Sequence, residues 1–275
     1  MRLLAFSAEG RVRWGALLGD EVAEISAVMP HSDLAALLAA DALGAARAAV
    51  ATAPRWPMAV VQILVPMPQA RLFCIGFNYP KAHPLGGQVA PPAQISFFLK
   101  QQDALVPHGA GLRPPGVSEQ FDYEGELGVV IGRAGHRIAR EDAMAHVAGY
   151  TVLNDGSVRD WQAHSVTAGK NFWQSGSWGP CIATADTLGD PAGLRLRSWL
   201  NGKLVQDCLA GEMVFDVPAI IAYLSTITPL RAGDVIATGS PEGTGATQSP
   251  PRFLRSGDHL AIEVDGVGRL ENVVG

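Results

Sequence analysis

The chain has 275 residues, of which 48% are hydrophobic and 17% charged, with a formal net charge of −5 and a pI near 5.8. That composition suits one large folded domain, alone or with a small appendage, and excludes a disordered chain. No basic run occurs and no apolar stretch approaches the roughly 20 residues of a membrane-spanning helix, so neither nucleic acid nor a membrane is expected as a partner.

The first 15 residues, MRLLAFSAEGRVRWG, meet polar side chains after seven positions and lack the apolar core of a signal peptide; a cytoplasmic protein is expected. Apolar and polar residues alternate around Gly10 and Gly19-Asp20, the pattern of short hairpins. Residues 31–51, rich in alanine and leucine, read as one helix capped by Ser32 or Asp33. TAPRWP ends it, and VQILVPMPQAR is a proline-punctuated connector. The shift in composition places a boundary between a small N-terminal α+β domain, residues 1–68, and a larger domain, residues 69–275.

From Arg71 onward short strands dominate: LFCIGF, ISFFLK, GELGVVIG and GYTVLND. EDAMAHVAG between the last two reads as a short crossover helix. FDVPAIIAYLSTIT reads as a helix with Pro218 in its first turn and Ile220, Ile221, Leu224 and Ile227 at helical spacing. LRAGDVIATGSPEG is a turn, a strand and a glycine-rich loop, and residues 258–274 form a hairpin turning at Asp265-Gly266. The fold class is α+β and β-rich. Cys74, Cys181 and Cys208 are odd in number, widely spaced and without a CxxC pair, as expected of buried reduced thiols.

FDYEGELGVVIG raises a chemical question. Glu124 and Glu126 are two apart on a strand and so share a face, where like charges repel unless a cation lies between them. Asp155 ends the following strand. Three carboxylates converging from neighbouring strands make an all-oxygen site that suits Mg²⁺, and no histidine or cysteine cluster has zinc spacing. The residues alone leave another reading open, a solvated strand face with Asp155 merely starting a turn.

The ordered motifs FDYEGELGVVIGR, GYTVLNDGSVRDWQ, GKNFWQSGSWGPCIAT, LNGKLVQD, LRAGDVIATGSPEGTG and GDHLAIEVDGVGRLENVV resemble the fumarylacetoacetate hydrolase family from about Arg71 to Val274. Members of that family cleave, hydrate, decarboxylate or isomerise small oxo acids. The resemblance implies a mixed β-sandwich roll with a small N-terminal domain beside it, and a homodimer. It assigns Glu124, Glu126 and Asp155 to a divalent cation, Mg²⁺ with Mn²⁺ or Ca²⁺ as substitutes. Such a cation would hold a 2-oxo acid by its carboxylate and keto oxygens and stabilise a forming enolate. The resemblance makes Lys170 a substrate-binding, charge-stabilising catalytic residue. In ATGSPEGTG, backbone N–H groups and the hydroxyls of Thr238 and Ser240 are expected to bind the substrate carboxylate; family members more often carry threonine at the Ser240 position. Tyr79 is expected to face the pocket. Arg159 and Asp160 read equally as an internal pair or as site residues.

Hydrolytic family members carry N-Y-x-x-H-x-x-E, whose histidine and glutamate activate water. This chain reads NYPKAHPLGG, with His83 one position late and Gly86 where the glutamate would follow. His83 is the candidate general base, on a segment whose Pro80, Pro84, Gly86 and Gly87 suggest a lid. Glu119 and His164 are further candidates with no motif behind them. The first functional reading is metal-dependent hydrolysis of a C–C bond in a 2,4-dioxo acid of acylpyruvate or fumarylpyruvate type, in aromatic-compound catabolism. The second, favoured by the missing glutamate, is an isomerase, decarboxylase or hydratase using the same enolate. A third is a silent protein that binds an oxo acid or a metal. Residues 81–92 and 161–178 are the expected specificity loops, where Trp161, Trp173 and Trp178 either favour an aromatic or long apolar tail or pack in the core.

Overall fold

The structure, a computed structural model, describes residues 1–80 and 90–275. Hairpins form its N-terminal edge. Strands β1 (Arg2–Ala8), β2 (Arg11–Leu18) and β3 (Glu21–Ala23) fold back at Gly10 and Gly19, whose φ angles of 72° and 62° suit glycine, and β4 (Arg55–Pro57) pairs with β3. The single helix expected over residues 31–51 is two, α1 (Leu34–Ala39) and α2 (Leu43–Ala49). Asp33 caps α1 by accepting from the Ala36 N–H at 2.8 Å, and Asp41, at φ 51°, breaks the ladder in a left-handed conformation that aspartate tolerates.

The remaining long strands are β5 (Leu72–Gly76), β6 (Ser96–Lys100), β7 (Gly125–Ile131), β8 (Val147–Asn154), β9 (Gly176–Thr184), β10 (Arg195–Leu200), β11 (Lys203–Leu209), β12 (Val235–Ala237), β13 (His259–Val264) and β14 (Gly268–Val274). The helices α3 (Val166–Lys170) and α4 (Val217–Ile227) lie among them. The large mixed sheet runs β4-β3-β2-β1-β9-β8-β7-β12-β5-β6, and a second sheet runs β11-β10-β13-β14 with Gly111–Leu112 at its edge. The sequence boundary near residue 68 does not divide the large sheet: β1 pairs antiparallel with β9, Leu3 opposite Ile182.

β7 lies in the middle of this architecture, and all seven of its residues are buried. Its Leu127, Val129 and Ile131 join a core with Leu196, Ile262 and Leu270 of the second sheet, while Val130 joins a core with Leu37 of α1 and Ile182 of β9. Burial on both faces explains the near-continuous apolar run GELGVVI. The segment between β7 and β8 is a 3₁₀ turn, Arg140–His146, and not a crossover, because the two strands are antiparallel neighbours with Gly128 opposite Thr151. In α4, Asp216 caps through the Ala219 N–H at 2.9 Å; Ile220, Ile221 and Leu224 are buried, while Ile227 is exposed. All three cysteines are free and buried. Among the described residues no helix is long and apolar enough to cross a membrane.

Candidate active site

Strand register builds the carboxylate cluster. Gly125 of β7 lies opposite Asn154 of β8, which brings the residues on either side of Gly125 next to the residue that follows Asn154. The Asp155 N–H donates to the Glu124 carbonyl at 2.8 Å, and the Glu124 N–H donates to Asn154 Oδ1 at 3.1 Å. One carboxylate oxygen from each of Glu124, Glu126 and Asp155 lies within 4.8 Å of the others. The three residues are only 7%, 1% and 2% exposed, which overturns the reading of a solvated strand face. Gly125 must be glycine: a Cβ there would stand 2.3 Å from Ser198 Oγ.

Three buried or largely buried cations answer these charges. Lys170, the last residue of α3, places its ammonium 2.6 Å from Glu124 and 2.7 Å from Asp155. Gly169 lets this helix approach, since a Cβ there would meet Gln162 Cγ at 2.4 Å and the Val158 carbonyl at 2.8 Å. Lys100, at the end of β6, stands 2.8 Å from the other Asp155 oxygen and donates to the Gly156 carbonyl at 3.1 Å. Arg159 donates to Asp122 at 2.8 Å and to Glu124 at 2.7 Å. It does not pair with Asp160, whose carboxylate accepts instead from Ser118 and from the Trp161 N–H.

The electrostatics follow from this packing. Burial opposes the Lys170 charge, but Asp155 and Glu124 outweigh it, and its pKa is raised, so it remains an ammonium at neutral pH. The same balance, with Glu124 and Asp122 opposing burial, raises Arg159. Glu126 differs. Burial, then Asp155 and Glu124, push its carboxyl well above the ordinary range; Lys170 and the Gly239 N–H, which donates to it at 2.8 Å, only partly compensate. Among the described residues Glu126 has no cation in direct contact. A buried carboxyl facing two other carboxylates, in an all-oxygen set, fits a divalent cation held by Glu124, Glu126 and Asp155.

A pocket of about 120 Å³ opens above the cluster, bounded by Glu124, Asp155, Arg159, Gln162, Lys170 and Ser240 on its polar side. Ser240 sits in the glycine-rich loop. That loop is pulled toward β5 because Gly239, at φ 101°, has no Cβ; one would meet Asn78 Cβ at 2.8 Å. Thr238 does not reach the pocket: its hydroxyl donates to the Leu127 carbonyl at 2.9 Å, inside the sheet. Tyr79, expected to face the pocket, does not line it either. Its ring packs in the core with Phe73 and Leu196, and its pKa is raised first by burial and then by Cys208. Trp178 is wholly buried and donates to Thr151, Trp161 packs between His164 and Phe172, and Trp173 lies beneath Arg113. None of the three lines the pocket. Glu119 and His164 are exposed and do not line it either. His83, Pro84, Gly86 and Gly87 of the expected lid lie outside the described residues.

Sequence reasoning missed Lys100 and Gln206. Lys100 left one signal, a charge closing the apolar run ISFFLK. Gln206, on β11, uses its whole amide: Oε1 accepts from the Gly125 N–H at 3.0 Å and Ser198 at 2.8 Å, while Nε2 donates to Ser240 Oγ at 2.8 Å and the Pro241 carbonyl at 3.0 Å. It ties the metal-ligand strand to the pocket loop. Ser240 Oγ thus accepts from Gln206 while the residue lines the pocket. Gln206→Leu should cost about 1–3 kcal/mol of stability by leaving the buried Gly125 N–H and Ser198 hydroxyl unpaired. Urea unfolding checks this, and a change below about 0.5 kcal/mol would show that the bridge does not hold the site together.

A family profile described as "Fumarylacetoacetate (FAA) hydrolase C-terminal" matches residues 71–275. Oxaloacetate tautomerase YisK of Bacillus subtilis is 39% identical over 215 residues, 77% of this chain and 71% of that protein. The structure of fumarylacetoacetate hydrolase from Exiguobacterium antarcticum superposes with a TM-score of 0.89 at 30% identity, covering 100% of this chain and 99% of the other. Maleylpyruvate hydrolase from Sphingobium sp. SYK-6, solved in complex with manganese(II) and pyruvate, gives 0.84 at 32% identity, covering 100% and 98%.

Proposed function

Since this chain belongs to the fumarylacetoacetate hydrolase family, we propose that it catalyses proton transfer at the carbon beside the keto group of a small 2-oxo acid, as a tautomerase or isomerase working through an enolate. The observation that carries this reading is the buried triad of Glu124, Glu126 and Asp155 with the Lys170 ammonium set into it. A divalent cation bound by the triad would supply positive charge beside the oxygen that becomes an oxyanion on enolisation. Lys170 adds a second, fixed positive charge there; held protonated, it stabilises charge and does not abstract a proton. Arg159 Nη2 is buried and unpartnered, and with the Ser240 hydroxyl it suits the acid's carboxylate.

The tautomerase relative supports this reading over hydrolysis, as does Gly86 standing where hydrolytic members carry a glutamate. Hydrolysis of a 2,4-dioxo acid is the second reading, favoured by the likeness to a maleylpyruvate hydrolase that was solved with pyruvate. The test is metal-stripped and Mg²⁺- or Mn²⁺-restored protein assayed against oxaloacetate, acetylpyruvate, fumarylpyruvate and a 2-hydroxydienoate. The expected result is metal-dependent change in enol absorbance at constant mass. Cleavage to pyruvate plus a second acid would transfer the reading to hydrolysis. No turnover of any member of the panel, with the cation bound, would sink both.

A further inference from the structure

Phe77 occupies a backbone conformation that suits few side chains. Its φ is 56°, in the left-handed region, where a bulky residue is an outlier. Its neighbours impose this. β5 ends at Gly76, and the fully buried Asn78 is clamped, donating to the carbonyls of Phe215 at 3.0 Å and Thr238 at 2.8 Å while accepting from the Phe215 N–H at 2.8 Å. Residue 77 alone is left to make the turn. Glycine or asparagine would satisfy that backbone without strain; the phenylalanine ring gains nothing from the core, because it is 63% exposed.

Phe77 instead lines the wall of the pocket whose floor is Glu124 and Asp155. Ile75, Phe98 and Val166 extend that wall, and Val166 is 44% exposed. The cations that line the pocket, Arg159 and Lys170, are drawn onto the floor by their carboxylate partners. The pocket therefore combines a cluster of carboxylates and cations with apolar surface from Ile75, Phe77, Phe98 and Val166. An oxo acid held by the charged cluster would leave its remaining substituent to the apolar lining, of which Phe77 is the member with a left-handed backbone and the greatest exposure.

We propose that Phe77 is a specificity-determining residue that favours 2-oxo acids whose substituent on the keto carbon is apolar, aromatic above all, over those with a second carboxylate directly attached to that carbon. The assignment rests on the oxo-acid reading of the site. Calorimetric titration of the Mn²⁺-loaded protein tests it with three ligands that cannot enolise: oxalate, benzoylformate and mesoxalate. Oxalate reports the floor alone. Benzoylformate should bind at least about tenfold more tightly than mesoxalate, the scale of burying part of an aromatic ring. Phe77→Asn, which suits the left-handed backbone, should abolish that preference and leave oxalate binding unchanged; Phe77→Leu should retain part of it. Equal binding of benzoylformate and mesoxalate by the parent, or equal weakening of all three ligands in Phe77→Asn, would overturn the assignment of Phe77 while oxalate binding upholds the oxo-acid site. Failure of the parent to bind oxalate would overturn the oxo-acid reading, and the assignment with it.

Discussion

Lys170→Met should lower kcat by about 10²–10³-fold, the scale of losing one preorganised donor at a developing oxyanion, while divalent-cation binding is retained or tightened. Methionine keeps the length and apolar stem of lysine and removes only the charge. The ammonium sits 2.6 Å from Glu124 and 2.7 Å from Asp155 in a residue that is 3% exposed, so no solvent cation substitutes for it freely. Without it Lys100 and Arg159 still face Asp155 and Glu124, but the cluster holds one positive charge fewer, which favours a bound divalent cation. Steady-state kinetics and a metal titration separate the two effects. A kcat within about threefold of the parent would remove Lys170 from the chemistry. The sign of its ionisation is also defined. Its raised pKa means that its contribution to stability is complete below the ordinary lysine range and is lost only as pH rises through the higher folded value. The pH–rate profile between 6 and about 9 should therefore carry no inflection from Lys170.

Glu126→Gln should separate function from stability in opposite directions. Glu126 is 1% exposed, and burial with two neighbouring carboxylates raises its pKa well above the ordinary value. A raised carboxyl pKa favours the folded state fully below the unfolded value of about 4.3, and that advantage is lost as pH rises toward the folded value. At neutral pH the metal-free protein consequently bears the cost of a buried charge or of a proton taken up to avoid it. Glutamine removes that cost and can still accept the Gly239 N–H. The metal-free variant should melt higher than the metal-free parent at pH 7–8, by roughly 2–4 °C for each kcal/mol relieved, and the difference should vanish near pH 4. It should also lose the stabilisation that Mg²⁺ or Mn²⁺ gives the parent, and its turnover. A lower melting temperature at pH 7–8 would show that the carboxylate is already compensated inside the protein.

These expectations rest on parts of the fold with very different visibility in the sequence. The pairing of Glu124, Glu126 and Asp155 was legible because it needs only the two-residue period of a strand and an antiparallel neighbour that ends in aspartate. The closing hairpin was legible for the same local reason, with Gly266 at φ 74° in its turn. The partners of Arg159 were not. Its neighbour Asp160 was the obvious candidate, but Asp122 lies 37 positions away and becomes adjacent only after β-pairing of Phe121–Asp122 with Ser157–Val158. Lys100 reaches Asp155 across a still longer stretch of sequence. Residues near a site in sequence proved equally hard to aim: Tyr79 turns into the core, and the Thr238 hydroxyl is consumed by the sheet. The alanine-rich helix broke at Asp41 because uniform propensity gave no competing signal, whereas a single left-handed residue ends a ladder.

The pairing of β1 with β9 carries a cost in time. The Met1 ammonium donates to Thr184 Oγ1 across 183 positions, and Leu3 finds its partner at Ile182. During synthesis β1 emerges well before β9; Gln62–Ile63 can cover Phe6 and Ser7, but the Arg2–Leu3 edge stays unpaired until residues 182–183 have been made. An exposed edge of that kind templates association with other chains, and contacts of such long range close slowly. The β1 edge of the sheet that positions the carboxylates therefore stays open to other chains until β9 reaches it, and the interval before that contact is one of exposure to aggregation.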